Sequence, residues 1–471
     1  APAPEDPRPP LPRAARSRLA MLLADRSSPG RSGPRSAPDL AELLPQWLAL
    51  ANQHGYRAPD ALLPTLLDAA RARTDLRPDA LTLGGPRALW LARLNPDWKF
   101  ALRGGPPGRG TAPASESDDA DVRRQWEEGL FAERVSLLAR TRHRDPAAGL
   151  ALLGGTWSAE RAEDRLMFLD SLRDDLVPSD EPFLEQALSD RSRNVRATAA
   201  ELLAALPGSA FAARMAERSA ACVSLSPDGA QITVDAPAQC DSGMQRDGVV
   251  PKPPSGRGER SWWLSQLVEA TPLGCWSEWF GGLDADRIVA LPVADGWKGD
   301  LHAAWCRAAV RQRSAQWSRA LLGTPGAPPV AAGESAPAVW RDPAKLLSAL
   351  PPAERAQWVA DFIASHGLSD AFRLLGVCAV PWAEPLGGAV VDALDIARDA
   401  GSYPWSFSGI MGLAERCLDP AQADRLEVLT ALPDEPEGAA PGAGGYWSEA
   451  FQRLVGTLRL RAAMRAELAG G

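Results

Sequence analysis

The chain has 471 residues, of which 45% are hydrophobic and 23% are charged, and its formal net charge is −8 at pH 7. No apolar run approaches the roughly 18 residues that a membrane-spanning helix needs, so we expect a soluble, cytoplasmic protein with no membrane role. The acidic balance makes nucleic acid an unlikely partner, because nucleic-acid-binding surfaces are normally basic.

Clusters of proline, glycine and serine divide the chain, and the segments between them have helical periodicity. This pattern predicts six regions. They are a flexible proline- and arginine-rich leader at 1–39, an N-terminal helical region at 40–102, a linker at 103–120, helical repeats at 121–222, a β-hairpin with a proline- and glycine-rich loop at 223–260, and C-terminal helical repeats at 261–471.

Two short helices are predicted in the stretch "FLEQALSDRSRNVRATAAELLAAL", residues 183–206. One apolar stripe precedes the polar "DRSRNVR" segment and another follows it, so the two helices fold back on each other. Asp190 stands where a carboxylate accepts backbone N–H groups at the start of the second helix. The stripes consist of Phe183, Leu184, Ala187 and Leu188, and of Val195, Ala199, Leu202, Leu203 and Leu206.

This stretch resembles a HEAT repeat, whose pattern joins an apolar first helix, the motif "L-x-D-x-x-x-x-V-R" and a second helix rich in Ala and Leu. Asp190, Val195 and Arg196 occupy the hallmark positions. The resemblance implies an all-α fold, a HEAT-like α-α superhelix or solenoid that includes residues 121–222, with Asp and Arg pairing between neighbouring repeats. Arg196 then bridges repeats, and Arg191 and Arg193 are left as contact residues for a partner. The alternative is that all three arginines pair with acidic groups between repeats.

A small β-hairpin interrupts the helical pattern at residues 222–235, "CVSLSPDGAQITVD". Apolar and β-branched residues alternate there on either side of Asp228 and Gly229. This dipeptide tolerates the positive φ of a tight turn better than most.

The loop "MQRDGVVPKPPSGRGERSWW", residues 244–263, has the composition of a protein interface. It combines Arg and Trp side chains, the usual anchors of interfaces, on a frame of proline and glycine. The alternative is a connector whose two tryptophans begin the next core helix. With the arginines above, the candidate partner-binding residues are Arg191, Arg193, Arg196, Lys252, Arg257, Arg260, Trp262 and Trp263, and Arg246 lies in the same loop.

The last segment, "SEAFQRLVGTLRLRAAMRAEL", predicts a closing helix. Ser448 is the expected N-cap, and Phe451, Leu454, Val455 and Leu458 share one face of the helix.

No recognised catalytic, cofactor or metal motif is present, so we predict a non-catalytic chain without cofactor or metal. No lysine follows a glycine-rich turn as in a P-loop, no HExxH motif occurs, and no Cys/His spacing gathers zinc ligands. A catalytic site assembled from distant residues stays an alternative. The residues tested are Lys99, Lys252, Lys298 and Lys345; His54, His143, His302 and His366; and Cys222, Cys240, Cys275, Cys306, Cys378 and Cys417, which we expect to be reduced thiols.

Over a longer span the chain resembles the bacterial family named domain of unknown function 5691. The resemblance rests on the order of "LWLARLNPDWKF", "DEPFLEQALSDRSRNVR", "MQRDGVVPKPPSGRGERSWWLSQLVEATP" and "LLSALPPAER". Genes of that family often lie beside those for MoxR-type AAA ATPases, von Willebrand factor A-type proteins and SWIM zinc-finger proteins. The resemblance therefore implies a scaffold or adaptor whose partner is an AAA ATPase or a von Willebrand A-type protein. Because some HEAT-like proteins are DNA glycosylases with a basic groove, nucleic-acid binding or repair is the alternative.

Overall fold

The computed structural model describes residues 3–25, 37–103, 116–326, 343–432 and 442–470. The chain forms two compact units. Unit 1 comprises Ala1–Gly110 with Ala356–Gly471, and unit 2 comprises Thr111–Arg355. Apart from one two-stranded sheet, the regular structure of the described residues is helical, which confirms the predicted all-α fold with a small hairpin. The predicted linker falls largely on 104–115, outside the described residues.

The first half of unit 1 contains five helices among its described residues. They are α1 (Arg13–Asp25), α2 (Leu40–Gln53), α3 (Leu63–Ala72), α4 (Arg77–Leu94) and α5 (Phe100–Arg103). Helix α1 lies within the segment predicted as a flexible leader, yet Leu19 and Leu22 on this helix are fully buried. The leader prediction therefore does not describe residues 13–25, because their leucines pack into the core of unit 1.

Unit 2 contains α6 to α19. They are α6 (Glu116–Glu128), α7 (Phe131–Arg144), α8 (Pro146–Thr156), α9 (Ala162–Asp170), α10 (Glu181–Ala187), α11 (Arg193–Ala204), α12 (Ala210–Ala220), α13 (Ser242–Arg246), α14 (Glu259–Ala270), α15 (Leu273–Trp279), α16 (Ala285–Ala290), α17 (Lys298–Arg311), α18 (Ala315–Leu322) and α19 (Pro343–Ser348).

The second half of unit 1 ends on the longest helix. Helix α20 (Pro352–His366) runs from the last residues of unit 2 into unit 1, and α21 (Leu368–Leu375), α22 (Leu386–Asp399), α23 (Ser408–Cys417), α24 (Ala423–Glu427) and α25 (Ala443–Ala469) follow. Helix α25 begins after Gly442, so Ser448 lies inside it and is not the N-cap. The Ser448 hydroxyl donates instead to the carbonyl oxygen of Thr430.

Helices α10 and α11 form the pair predicted from residues 183–206. Leu184 and Ala187 of α10 and Val195 and Leu202 of α11 are buried in one core of unit 2, together with residues of α7, α9, α12 and α14. The two apolar stripes therefore face the same core, as their spacing indicates.

Strands β1 (Val223–Leu225) and β2 (Ile232–Val234) pair antiparallel, with Ser224 opposite Thr233. Gly229 has φ +71°, which a residue without Cβ adopts at no steric cost. The Asp228 carboxylate accepts hydrogen bonds from Ser226 Oγ and from the backbone N–H of Ala230, which lowers the pKa of Asp228. The predicted hairpin and its turn are confirmed.

Candidate functional site

The end of α13 and the loop that follows it, together residues 244–252, come close to α11. Gly248 has φ +86°, and a Cβ at this position would lie 2.7 Å from the Cβ of Ala200 on α11. A contact that short is sterically forbidden, so only glycine allows this approach. Met244 and Val249, on either side of Gly248, are buried in the core shared with α11.

Two tryptophans and a glutamine of α14 hold this loop by hydrogen bonds to its backbone. The indole N–H of Trp262 donates to the carbonyl oxygen of Val250 at 2.8 Å, and that of Trp263 donates to Pro251 at 2.7 Å. Gln266 Oε1 accepts from the N–H of Val250 at 2.8 Å. Both tryptophans therefore position the loop, and Trp263 is buried.

Ion pairs with α12 fix the same loop from another direction. The Asp247 carboxylate is 2% exposed and lies 2.9 Å from Arg214 and 2.7 Å from Arg218. Burial alone would lower the pKa of the Arg214 guanidinium, but its hydrogen bond to Asp247 and a second ion pair with Glu185 raise it. The negative charge of Asp247 is thus compensated by two arginines of α12.

A groove lies between the first turns of α11 and this loop, with a volume of about 250 Å³. We call it the α11 groove. It brings together Arg193, Arg196 and Lys252, three candidate partner-binding residues from two separate parts of the sequence. No Asp or Glu is among the described residues that line it. The complete lining is Arg193, Arg196, Ala197, Gln245, Gly248, Val249, Val250, Pro251 and Lys252.

Arg196 does not bridge repeats in the way the HEAT resemblance implied. Its Nη1 donates to the carbonyl oxygens of Asp190 at 2.7 Å and Arg191 at 3.1 Å. These two hydrogen bonds hold the turn that precedes α11. The Asp190 carboxylate pairs instead with Arg165 of α9, at 2.8 Å, and accepts from the N–H of Ser192. Ser192, not Asp190, is the N-cap residue of α11. Arg196 therefore keeps its charge in a fixed position.

Arg191 and Arg193 are both exposed, but only Arg193 lines the groove. Within the described ranges, the side chains of Arg193 and Lys252 have no acidic partner. Because Arg191 has the same charge and is also exposed but does not line the groove, a substitution there serves as a control for a substitution at Arg193.

Arg257 and Arg260, also candidates from the sequence, are engaged elsewhere in unit 2. Arg257 lies 3.3 Å from Asp300, and its guanidinium carbon is 5.3 Å from the centre of the Trp262 ring. Arg260 pairs with Asp235 at 3.0 Å and donates to the carbonyl oxygen of Ala236. These contacts tie the start of α14 to the hairpin and to α17.

The apolar part of the groove was not among the candidates from the sequence. Ala197 and Val250 are half-buried and Pro251 is exposed, so hydrocarbon surface adjoins the three cations. The sequence does carry a signal, since "GVVP" places apolar residues in an otherwise polar loop.

A second cavity, of about 510 Å³, lies in unit 1 between α1 and residues 57–62. Asp60 forms an ion pair with Arg87, and Arg57 donates to the carbonyl oxygen of Arg8. The lining of this cavity includes an acidic residue, Asp60, whereas no Asp or Glu is among the described residues that line the α11 groove.

The cysteines offer little nucleophilic chemistry. All six lie among the described residues and none forms a disulfide, and Cys306 and Cys378 are buried. Burial raises the pKa of Cys306 to about 12, and burial also raises the pKa of Cys222, Cys275 and Cys417. A thiol with a raised pKa is a poor nucleophile at neutral pH.

The described residues lack two further features. Across those residues, no cluster of three or more His, Cys, Asp or Glu side chains is arranged to hold a metal ion. In the same part of the chain, no helix combines the length and the hydrophobicity needed to cross a membrane.

The sequence profile of the family described as "Family of unknown function (DUF5691)" matches residues 1–468. The chain therefore belongs to this family. No curated protein and no solved structure matches it.

Proposed function

We propose that this chain is a non-catalytic, cytoplasmic scaffold or adaptor built of HEAT-like helical repeats, and that the α11 groove contacts a protein partner. One observation carries the proposal. Arg193 and Lys252 are exposed cations without an acidic partner among the described residues, and they stand at a groove whose frame is fixed by hydrogen bonds and ion pairs.

The fold gains little from a positive charge at Arg193. This residue is the first of α11, where the helix dipole favours negative side chains and disfavours cations by about 0.3–1 kcal/mol. Arg196 adds a second cation in the first turns of the same helix. These cations lower the stability of the helix start, and no ion pair in the described residues compensates for that loss. This supports a binding role for these side chains.

The fixed frame also supports binding. A loop already held by Trp262, Trp263 and Asp247 loses little conformational freedom when a partner docks, so more of the contact energy appears as affinity. By family resemblance, the proposed partner is a MoxR-type AAA ATPase or a von Willebrand A-type protein encoded beside the gene.

The test is an affinity measurement between the full chain and each of these purified neighbours. We expect association with at least one of them, and we expect the double variant Arg193→Glu/Lys252→Glu to weaken it about tenfold or more, since each reversal turns attraction into repulsion. Arg191→Glu is the matched control, because it makes the same charge change at an exposed site outside the groove. No association with any neighbour would refute the proposed partners, and association unaffected by the double variant would refute the role of the groove.

Nucleic-acid binding is the second candidate, because three cations at one groove also complement phosphate groups. Proteins that bind single strands usually add exposed aromatic rings on which bases stack. Here Trp262 and Trp263 hold the loop and do not line the groove, and the chain is acidic overall. A salt titration of DNA binding tests this candidate. A steep log-log slope that flattens in the double variant would favour it, and no binding at low salt would exclude it.

A further inference from the structure

The following inference rests on the function proposed above and specifies the chemistry of the ligand. We propose that the α11 groove binds an extended acidic peptide segment in which an aliphatic side chain stands between carboxylates. The segment would belong to a partner protein.

The described residues that line the groove carry only positive charges. Arg193, Arg196 and Lys252 line it, while the acidic residues next to these segments in sequence are already held in ion pairs. Asp190 pairs with Arg165, and Asp247 pairs with Arg214 and Arg218. A ligand in the groove therefore meets three positive charges, and carboxylates complement them.

The three cations differ in how firmly the protein holds their side chains. Two carbonyl oxygens hold the Nη1 of Arg196, so its guanidinium has a fixed orientation. The exposed side chains of Arg193 and Lys252 can adjust to a ligand. One carboxylate would meet the fixed guanidinium at Arg196, and neighbouring carboxylates would meet the two adjustable cations. Three separate cations need several acidic groups, as a peptide segment provides.

Hydrocarbon surface lies beside these charges, on Ala197, Val250 and Pro251. An ion cannot use such a surface, whereas an aliphatic side chain gains free energy by covering it. The cavity of about 250 Å³ is also smaller than the roughly 300–1,000 Å³ typical of small-molecule sites. The volume therefore suits a side chain of a larger ligand.

Side chains, and not the backbone of residues 250–251, must recognise the ligand. The N–H of Val250 donates to Gln266, its carbonyl oxygen accepts from Trp262, and the carbonyl oxygen of Pro251 accepts from Trp263. Proline has no N–H to offer. This part of the loop thus has no free backbone edge to which a peptide strand could add.

The probe is a fluorescein-labelled peptide with the central sequence Asp-Glu-Leu-Glu-Asp, titrated with the full chain at about 0.15 M salt, where the Debye length is about 8 Å, and followed by fluorescence anisotropy. Two matched peptides replace the acids by Asn and Gln, or the Leu by Ser. We expect the acid-free peptide and the variant Arg193→Glu/Lys252→Glu each to weaken binding by about tenfold or more. The Ser peptide should bind about fivefold more weakly, because it loses the apolar contact.

Arg191→Glu is the control protein, and we expect it to bind the acidic peptide within about twofold of the unmodified chain. Circular dichroism checks that each variant is folded, and Arg193→Gln/Lys252→Gln is the milder replacement if the charge reversals unfold the chain. Equal binding of the acidic peptide by the unmodified chain and the double variant would overturn the inference. Equal binding of the acid-free peptide, or much tighter binding of an oligonucleotide to the groove, would also overturn it.

The outcome separates the ligand chemistry from the proposed function. If a neighbouring protein binds and loses affinity in the double variant while the acidic peptide does not bind, the acidic segment is refuted and the protein contact stands. If the peptide binds at the groove and none of the neighbouring proteins does, the ligand chemistry is supported and the proposed partners are refuted.

Discussion

Arg142 of α7 and Asp180 form a fully buried ion pair in unit 2, with 0% and 1% of their side chains exposed. The two groups meet through two hydrogen bonds, of 3.0 and 2.7 Å. Arg142 also donates to the carbonyl oxygens of Pro146 and Asp175, while Asp180 accepts from the N–H of Val177. These contacts tie α7 to the segment that leads into α10.

Removing one partner of this pair leaves a buried charge without compensation. We therefore expect Asp180→Ala to lower the free energy of unfolding by about 3–5 kcal/mol. Glu201→Ala is the control, because Glu201 and its partner Arg173 are 51% and 43% exposed, and such a pair contributes about 1 kcal/mol or less. Urea denaturation followed by circular dichroism compares the two variants. Equal losses of stability would contradict the distinction drawn from burial.

His302 of α17 is buried beside Trp305, with ring centres 5.4 Å apart. Burial, together with the nearby charge of Lys298, lowers the pKa of His302 from 6.5 to about 4. The unfolded chain therefore binds a proton more readily than the folded chain. The stability that neutral His302 contributes is complete above about pH 6.5 and is lost as the pH falls towards 4.

We expect the full chain to lose about 3 kcal/mol of stability through this residue between pH 7 and pH 4. In His302→Leu that part of the pH dependence should be absent. The exposed His54→Gln is the control and should keep the slope of the unmodified chain. Denaturant midpoints measured at several pH values between 4 and 7 give the comparison. A His302→Leu slope equal to that of the unmodified chain would show that His302 does not cause the effect.

At the scale of elements, the α11 groove depends on how closely the loop approaches α11. Gly248→Ala places a Cβ 2.7 Å from Ala200 and also forces a side chain to adopt φ +86°, whereas Gly256→Ala imposes a similar φ of +83° in open space. Comparing these two variants separates the effect of the steric contact with Ala200 from the effect of the strained φ. We expect Gly248→Ala to be the more destabilising by about 1–3 kcal/mol and to weaken binding of the acidic peptide. Melting temperatures and anisotropy titrations test both, and equal effects would mean that the close approach is unimportant.

Local patterns predicted elements better than they predicted the groove. The spacing of Leu184, Val195 and Leu202 was enough to place two helices on one core, and Asp228 with Gly229 was enough to place the hairpin turn. These signals depend only on neighbours in the chain.

The groove depends on distant partners. Arg193 and Lys252 line one groove because Trp262 and Trp263 donate hydrogen bonds to the carbonyl oxygens of Val250 and Pro251. No sequence pattern specifies which carbonyl oxygen accepts from an indole N–H. The same limit explains the error at Arg196. The motif identified an Asp and an Arg that act between helices, but the arginine that pairs with Asp190 is Arg165.

At the scale of the whole molecule, the chain closes on itself in unit 1. Met464 and Leu468 of α25 belong to the same buried cluster as Leu19 and Leu22 of α1. Arg18 pairs with Glu467 at 2.5 Å, and the Tyr56 hydroxyl donates to the carbonyl oxygen of Leu468. The first segment looked like a leader because composition shows its prolines and arginines but not the helix that covers its leucines.

This closure predicts different behaviour for the two units when the chain is cut. Residues 111–351 are continuous and end before α20, so we expect this fragment to fold alone and to bind the acidic peptide as the full chain does. Residues 1–110 lack the contacts from Met464 and Leu468 and should be partly unfolded until residues 356–471 are added. Circular dichroism and thermal melts of each fragment, alone and mixed, give the answer. A cooperative transition for 1–110 alone would show that α25 is dispensable for this core, and an unfolded 111–351 fragment would show that unit 2 needs the rest of the chain.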